Sequence, residues 1–141
     1  MSSSGGFKNA CQVGSPDGTV TSATLTTSLN SNASNAGRNG DLIVIDTIDF
    51  SYVAGGADET VQVTITNGTD TVLNYQDTVT ATKAGTIHIE FNNGFPIFKT
   101  LNTAGQIKSD GRAASGAVVS VVASTVTQWI VGYHFEPART P

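Results

Sequence analysis

Five Asx-Gly dipeptides interrupt this chain: Asp17-Gly18, Asn39-Gly40, Asn67-Gly68, Asn93-Gly94 and Asp110-Gly111. Asn, Asp and Gly tolerate positive φ, the condition for the primed turns that close β-hairpins. Runs of alternating, β-branched residues fill most of the intervals between them. The order strand, turn, strand leaves little room for helix. The fold class is all-β before anything is said of function.

Residues 1–18 are polar, rich in Gly and Ser, and read as a flexible N-terminal arm. Residues 19–27 have the β-branched content of a strand with weak alternation. Residues 28–40 form a polar loop, long for a compact domain. Over residues 41–53, Leu42, Val44, Ile48, Phe50 and Tyr52 share one face. Residues 42–45 are apolar on both faces, as in a central strand covered on both sides. Asp46 interrupts the apolar face and marks a bulge or a hydrogen-bonded pair.

Val61, Val63 and Ile65 alternate cleanly with polar residues. Asn67-Gly68 then turns the chain into a strand over 69–77, with a short strand at 78–82. Ile87, Ile89 and Phe91 point inward, with His88 and Glu90 outward. Asn93-Gly94 reads as the next turn. Pro96 has no N–H for a ladder, which makes 95–101 an edge strand or the first residues of a strand. Residues 102–115 form a loop with a short strand at 106–108. Residues 117–123 form a buried type of strand, and Trp129, Val131, Tyr133 and Phe135 share a face of the last one. The reading is a single antiparallel β-sandwich over 19–136, with a tail at 137–141. The strand count suits an eight-stranded jelly roll. Its expected core is Leu42, Val44, Ile48, Val61, Val63, Ile65, Ile87, Ile89, Phe91, Val119, Val121 and Val131.

Charged residues make up only 13% of the chain, about half the usual share. Neutral hydroxyls and amides take their place. Such a surface suits a protein packed against copies of itself or a larger assembly, or an ordinary extracellular domain. The net charge is −4, and the seven basic residues are scattered. That argues against a nucleic-acid partner, whose phosphates call for clustered Lys and Arg. The one cysteine, Cys11, allows no intrachain disulfide. The N-terminus shows no secretory pattern, and no stretch approaches the ~18 apolar residues of a membrane span. The expectation is a protein made in the cytoplasm, with no membrane partner.

No catalytic constellation is visible. His88 and His134 read as outward-facing strand residues, and no G-x-S-x-G elbow or phosphate-binding glycine loop is present. The carboxylates at Asp41, Asp46 and Asp49, and at Asp58 and Glu59, match no calcium loop and read as turn caps. The sequence predicts no enzyme, no cofactor and no metal. The sequons at Asn32 and Asn67 read as accidental. Trp129, with Tyr52 or Tyr75, offers a stacking platform for a sugar, or an interface. The plainer reading packs Trp129 in the core, because its face continues through Val131, Tyr133 and Phe135.

Residues 85–101, GTIHIEFNNGFPIFKTL, and 116–133, GAVVSVVASTVTQWIVGY, resemble the C-terminal half of small virion proteins of tailed bacteriophages. In both, a strand leads to an Asn-Gly turn, an extended segment, and a last strand ending in V-x-Y. The resemblance covers about half the chain. It implies a virion structural protein of the capsid decoration (cement) type, often a homotrimer, bound to the major capsid protein of a phage head. The alternative is a carbohydrate- or receptor-binding module of a tail fibre or secreted adhesin.

Overall fold

The computed structural model describes residues 11–27, 41–103 and 106–137, and their side chains except those of residues 101–111. Residues 1–10, the loop at 28–40 and the tail at 138–141 lie outside the described residues. Nine strands run through the rest: β1 (Cys11–Ser15), β2 (Ser22–Thr26), β3 (Leu42–Val53), β4 (Glu59–Thr66), β5 (Thr71–Val79), β6 (Ala84–Thr103), β7 (Gln106–Ala113), β8 (Gly116–Val122) and β9 (Thr125–Glu136). There is no helix among the described residues.

The strands form two packed antiparallel sheets, ordered β1-β9-β3-β6-β7 and β2-β8-β4-β5. Strand β1 pairs with β9, β2 with β8, β3 with β6 and β4 with β5. These nested pairs are what a long hairpin gives when it rolls up into a jelly roll. The ninth strand, β7, extends the first sheet beyond the expected eight.

The inner faces carry the alternation read from the sequence. Val61, Val63 and Ile65 from β4, Val119 and Val121 from β8, and Ile48, Phe50 and Val131 from the facing sheet are buried together. Ile89 and Phe91 pack on this core but are only partly buried. Trp129 ties the layers, its indole Nε1 donating to the Val20 carbonyl at 2.7 Å. Asn67 does the same at the β4–β5 hairpin. Its Oδ1 accepts from the Thr69 and Asp70 N–H groups, and its Nδ2 donates to the Phe98 carbonyl of the other sheet at 2.9 Å. This buried amide is occupied, in keeping with an accidental sequon.

The structure departs from the sequence reading where ladders are irregular or long-range. The arm expected over 1–18 contains β1, an edge strand paired with residues 129–133 of β9. Residues 69–82 hold one strand, not two, and β7 is longer than the expected 106–108. Asp46 is indeed bulged: β9 steps from Gly132↔Thr47 to Tyr133↔Ile45, and β6 from Glu90↔Thr47 to Phe95↔Ile45. One extra residue reverses the facing of everything before it. Ile43 and Ile45 therefore join the core, whereas Leu42 and Val44, buried all the same, face away from it.

Asn93-Gly94 is no hairpin turn either. It lies in an excursion of β6 opposite the Asp46 bulge, and β6 continues along β3 afterwards. Asn93 and Gly94 both take positive φ, at 66° and 82°. Gly94 lies against Val44, where a Cβ would come within 2.2 Å of Cγ1. Pro96 pairs with Val44, just before the β7 ladder begins at Phe98.

Candidate functional site

The outer face of the five-stranded sheet carries the polar chemistry of the described residues. In one row across four strands, Gly14, Ile130, Asp49 and His88 are successive ladder partners. The next row is Gln128, Ser51 and Thr86. On the other side Gln12, Gly132, Thr47 and Glu90 follow. Period-2 alternation puts these side chains outside because Trp129, Val131, Ile48 and Phe50 take the inside.

A groove of about 660 Å³ opens over these rows, lined by the polar Gln12, Asp49, Ser51, Thr86 and Gln128 and by the apolar Val13, Pro16, Trp129 and Ile130. That volume is in the range of small-ligand sites. Its floor at Gly14 is bare backbone. A Cβ there would come within 2.1 Å of the Trp129 carbonyl oxygen, so only glycine lets β1 lie this close to β9. The Ser51 and Thr86 hydroxyls lie 3.0 Å apart and bond to each other. Ile130 is 39% exposed.

Asp49 holds His88: Oδ1 lies 2.5 Å from Nδ1, and Glu90 stands 3.8 Å from Nε2. The hydrogen bond and charge of Asp49, with a smaller contribution from Glu90, raise the His88 pKa above its ordinary 6.5. Both partners are exposed, so solvent weakens the pair.

The second histidine differs from expectation. His134 faces outward as read, yet it is only 4% exposed. Its Nδ1 lies 2.7 Å from Asp46 Oδ2 and its Nε2 3.0 Å from Glu136 Oε2. The Asp46 bulge makes the first contact, and i, i+2 spacing on β9 makes the second. Sequence alone showed the outward parity of His134 but not its burial or its pairing with a residue 88 positions away.

The turn-capping reading of the acidic residues holds in the loops. Asp58 accepts from the Ala81 N–H. Glu59 accepts from the Gly55 and Ser124 N–H groups at 2.6 and 2.8 Å, which lowers its pKa. Asp17 accepts from the Thr19 N–H and hydroxyl and from Ser15, and its pKa is lowered too. Asp46 and Asp49 face histidines instead. Among the described residues no cluster of three or more His, Cys, Asp or Glu is arranged to hold a metal ion.

The three aromatics suggested as a platform are not brought together. Trp129 is 2% exposed and Tyr52 is buried beside Phe50. Tyr75, 39% exposed, sits on β5 in the other sheet. Cys11 is a half-buried thiol in no disulfide, opposite Tyr133, its pKa raised by burial. The groove itself was missed because its residues come from four strands, none with a local motif. No family model matches the chain, and no curated protein matches it.

Proposed function

We propose that this protein is a non-enzymatic virion structural protein, a capsid decoration protein that packs through its four-stranded sheet. The observation that carries the reading is the outer face of that sheet. Its positions are Ser22, Thr24 and Thr26 on β2, Val118, Ser120 and Val122 on β8, Thr60, Gln62, Thr64 and Thr66 on β4, and Asn74, Gln76 and Thr78 on β5. None is charged and none is buried, and Val122 is 53% exposed. A broad face without charge has little to oppose its packing on another protein surface.

Residues 42–45 are all buried within the chain, so no partner is needed to cover their second face. On β8 the outer-face valines, Val118 and Val122, are not buried. The resemblance to phage decoration proteins supplies the rest of the reading: a trimer, bound to the major capsid protein and stiffening the shell.

Two measurements test it. Light scattering at micromolar concentration is expected to give an oligomer mass, and cosedimentation with emptied heads of the parent phage is expected to retain the protein. Thr64→Lys with Ser120→Lys places two charges on ladder partners of this face. The double variant is expected to be monomeric and unbound while keeping its β spectrum. A monomeric wild type that ignores heads at every stage would remove the decoration reading and leave a tail or fibre role.

A further inference from the structure

We infer that the groove on the five-stranded sheet is a binding site for a neutral, hydroxyl-rich ligand, a glycan chain. The inference does not depend on the assembly reading, because groove and charge-free face lie on opposite sides of the sandwich.

The argument starts from what the lining offers. Among the described residues, the Gln12 and Gln128 side-chain amides have no hydrogen-bond partner, and Asp49 uses Oδ1 on His88, leaving Oδ2 open. The amides each donate and accept, the carboxylate oxygen accepts, and the Ser51–Thr86 pair keeps one hydroxyl proton to give. These groups converge from four strands on one space. Ile130 adds an exposed aliphatic surface beside them, suited to the C–H face of a sugar ring.

The charge pattern selects among ligand classes. No Lys or Arg lines the groove, and its one formal charge is a carboxylate. Phosphates, nucleic acids and acidic glycans would meet repulsion without a partner. A cation would find the Asp49 charge already shared with His88. A wholly apolar ligand would strand the amides and the carboxylate out of water. A neutral polyol satisfies each group. Sites built on hydrogen bonds to hydroxyls also reject analogues that lack them.

The platform is therefore amide and carboxylate, not aromatic. Trp129→Ala would test the core and not the site. The full chain should be screened on an array of neutral plant-, microbial- and animal-type oligosaccharides, with heparin fragments and sialylated glycans as the anionic set. Hits should be titrated by calorimetry. The expected result is binding to a subset of neutral glycans only. Asp49→Ala and Gln128→Ala, both at exposed outer-face positions, are each expected to weaken it at least tenfold without shifting Tm. Gln62→Ala on the opposite sheet should leave it unchanged. The inference is overturned by no neutral hit at millimolar ligand, by preference for the anionic set, or by equal affinity in the groove variants. If either variant shifts Tm, amide shifts in the wild-type NMR spectrum decide: glycan-induced shifts confined to Gln12, Gln128 and Ile130 uphold the site, and shifts elsewhere overturn it.

Discussion

The two sheets share one core yet present opposite exteriors. The four-stranded sheet shows a single register irregularity, between Ile65 and Thr66, and an uncharged array of hydroxyls, amides and valines. The five-stranded sheet is broken at Asp46, at residues 91–94, near Thr127, and between Phe98 and Thr100. It carries both histidines, with Asp46, Asp49, Glu90 and Glu136 beside them. The two histidines divide between these settings: His134 meets Asp46 at the bulge, which re-aims that side chain, whereas His88 meets Asp49 within a regular stretch of ladder.

The largest expected effect lies beneath the groove. Trp129→Ala removes a buried indole and its bond to Val20, and is expected to cost about 3–5 kcal/mol in urea denaturation. Its neighbour Ile130 points the other way, and Ile130→Ala should cost far less. Near-equal losses would mean that the strand's inside and outside are wrongly assigned. Next come two glycines, one at the β4–β5 turn and one within β6. Gly68 and Gly94 both have positive φ, so alanine costs each about 1–2 kcal/mol. At Gly68 the added methyl meets open space, whereas at Gly94 it strikes Val44. Gly94→Ala is therefore expected to be clearly the worse of the two. Equal costs would remove the claim that the bulged region is closely packed.

Smaller again is His134→Ala, which leaves Asp46 and Glu136 without their bridging ring. Asp46 and Glu136 are part-exposed and can turn to water, so the loss is expected at about 1 kcal/mol, the low end of the cost of an unmade bond. His88→Ala, on the exposed row, should not move the denaturation midpoint measurably. A reversal of that order would show that His134 is open to solvent in solution.

The regular sheet was the legible one. The β4 alternation and the Asn67-Gly68 hairpin are local signals, and both face and turn follow from spacing of a few residues. Asp46 was legible as an interruption, since an acid within an apolar run needs an outlet. Its consequence was not: parity before a bulge cannot be known until the bulge is placed, so Ile43 and Ile45 were exchanged with Leu42 and Val44. Asn93-Gly94 has the turn residues of a hairpin but serves as a bulge, because positive φ is required by both. Strand β1 was read as arm because it is short, polar and paired more than a hundred residues away. Ladder partners at that distance leave no periodic trace.

The faintest effect separates the two exteriors by pH. The charge-free face holds no titrating group, so the oligomer mass should be constant between about pH 6 and 8. The groove face should change. Asp49 favours protonated His88, so the folded-state pKa lies above 6.5. The stabilisation from this exposed pair is too small to show as a shift in Tm, and its sign is set: present below 6.5 and lost as pH rises through the raised value. Asp17 and Glu59 act with the opposite sign. Their lowered pKa values give stability that is present above the ordinary carboxylate range and lost as pH falls through the lowered ones. An NMR titration of the His88 ring should place its midpoint above 6.5 in the wild type. Asp49→Asn should bring it back towards the ordinary value, and high salt should do so in part, since the pair is exposed. Deprotonation of His88 also leaves the Asp49 charge unshared at the edge of the groove. Neutral-glycan affinity should therefore drift across the same titration while the oligomer mass does not. A wild-type midpoint at or below 6.5 would sever that link, and an oligomer that dissociates over this range would place titrating groups in the interface and move assembly off the charge-free face.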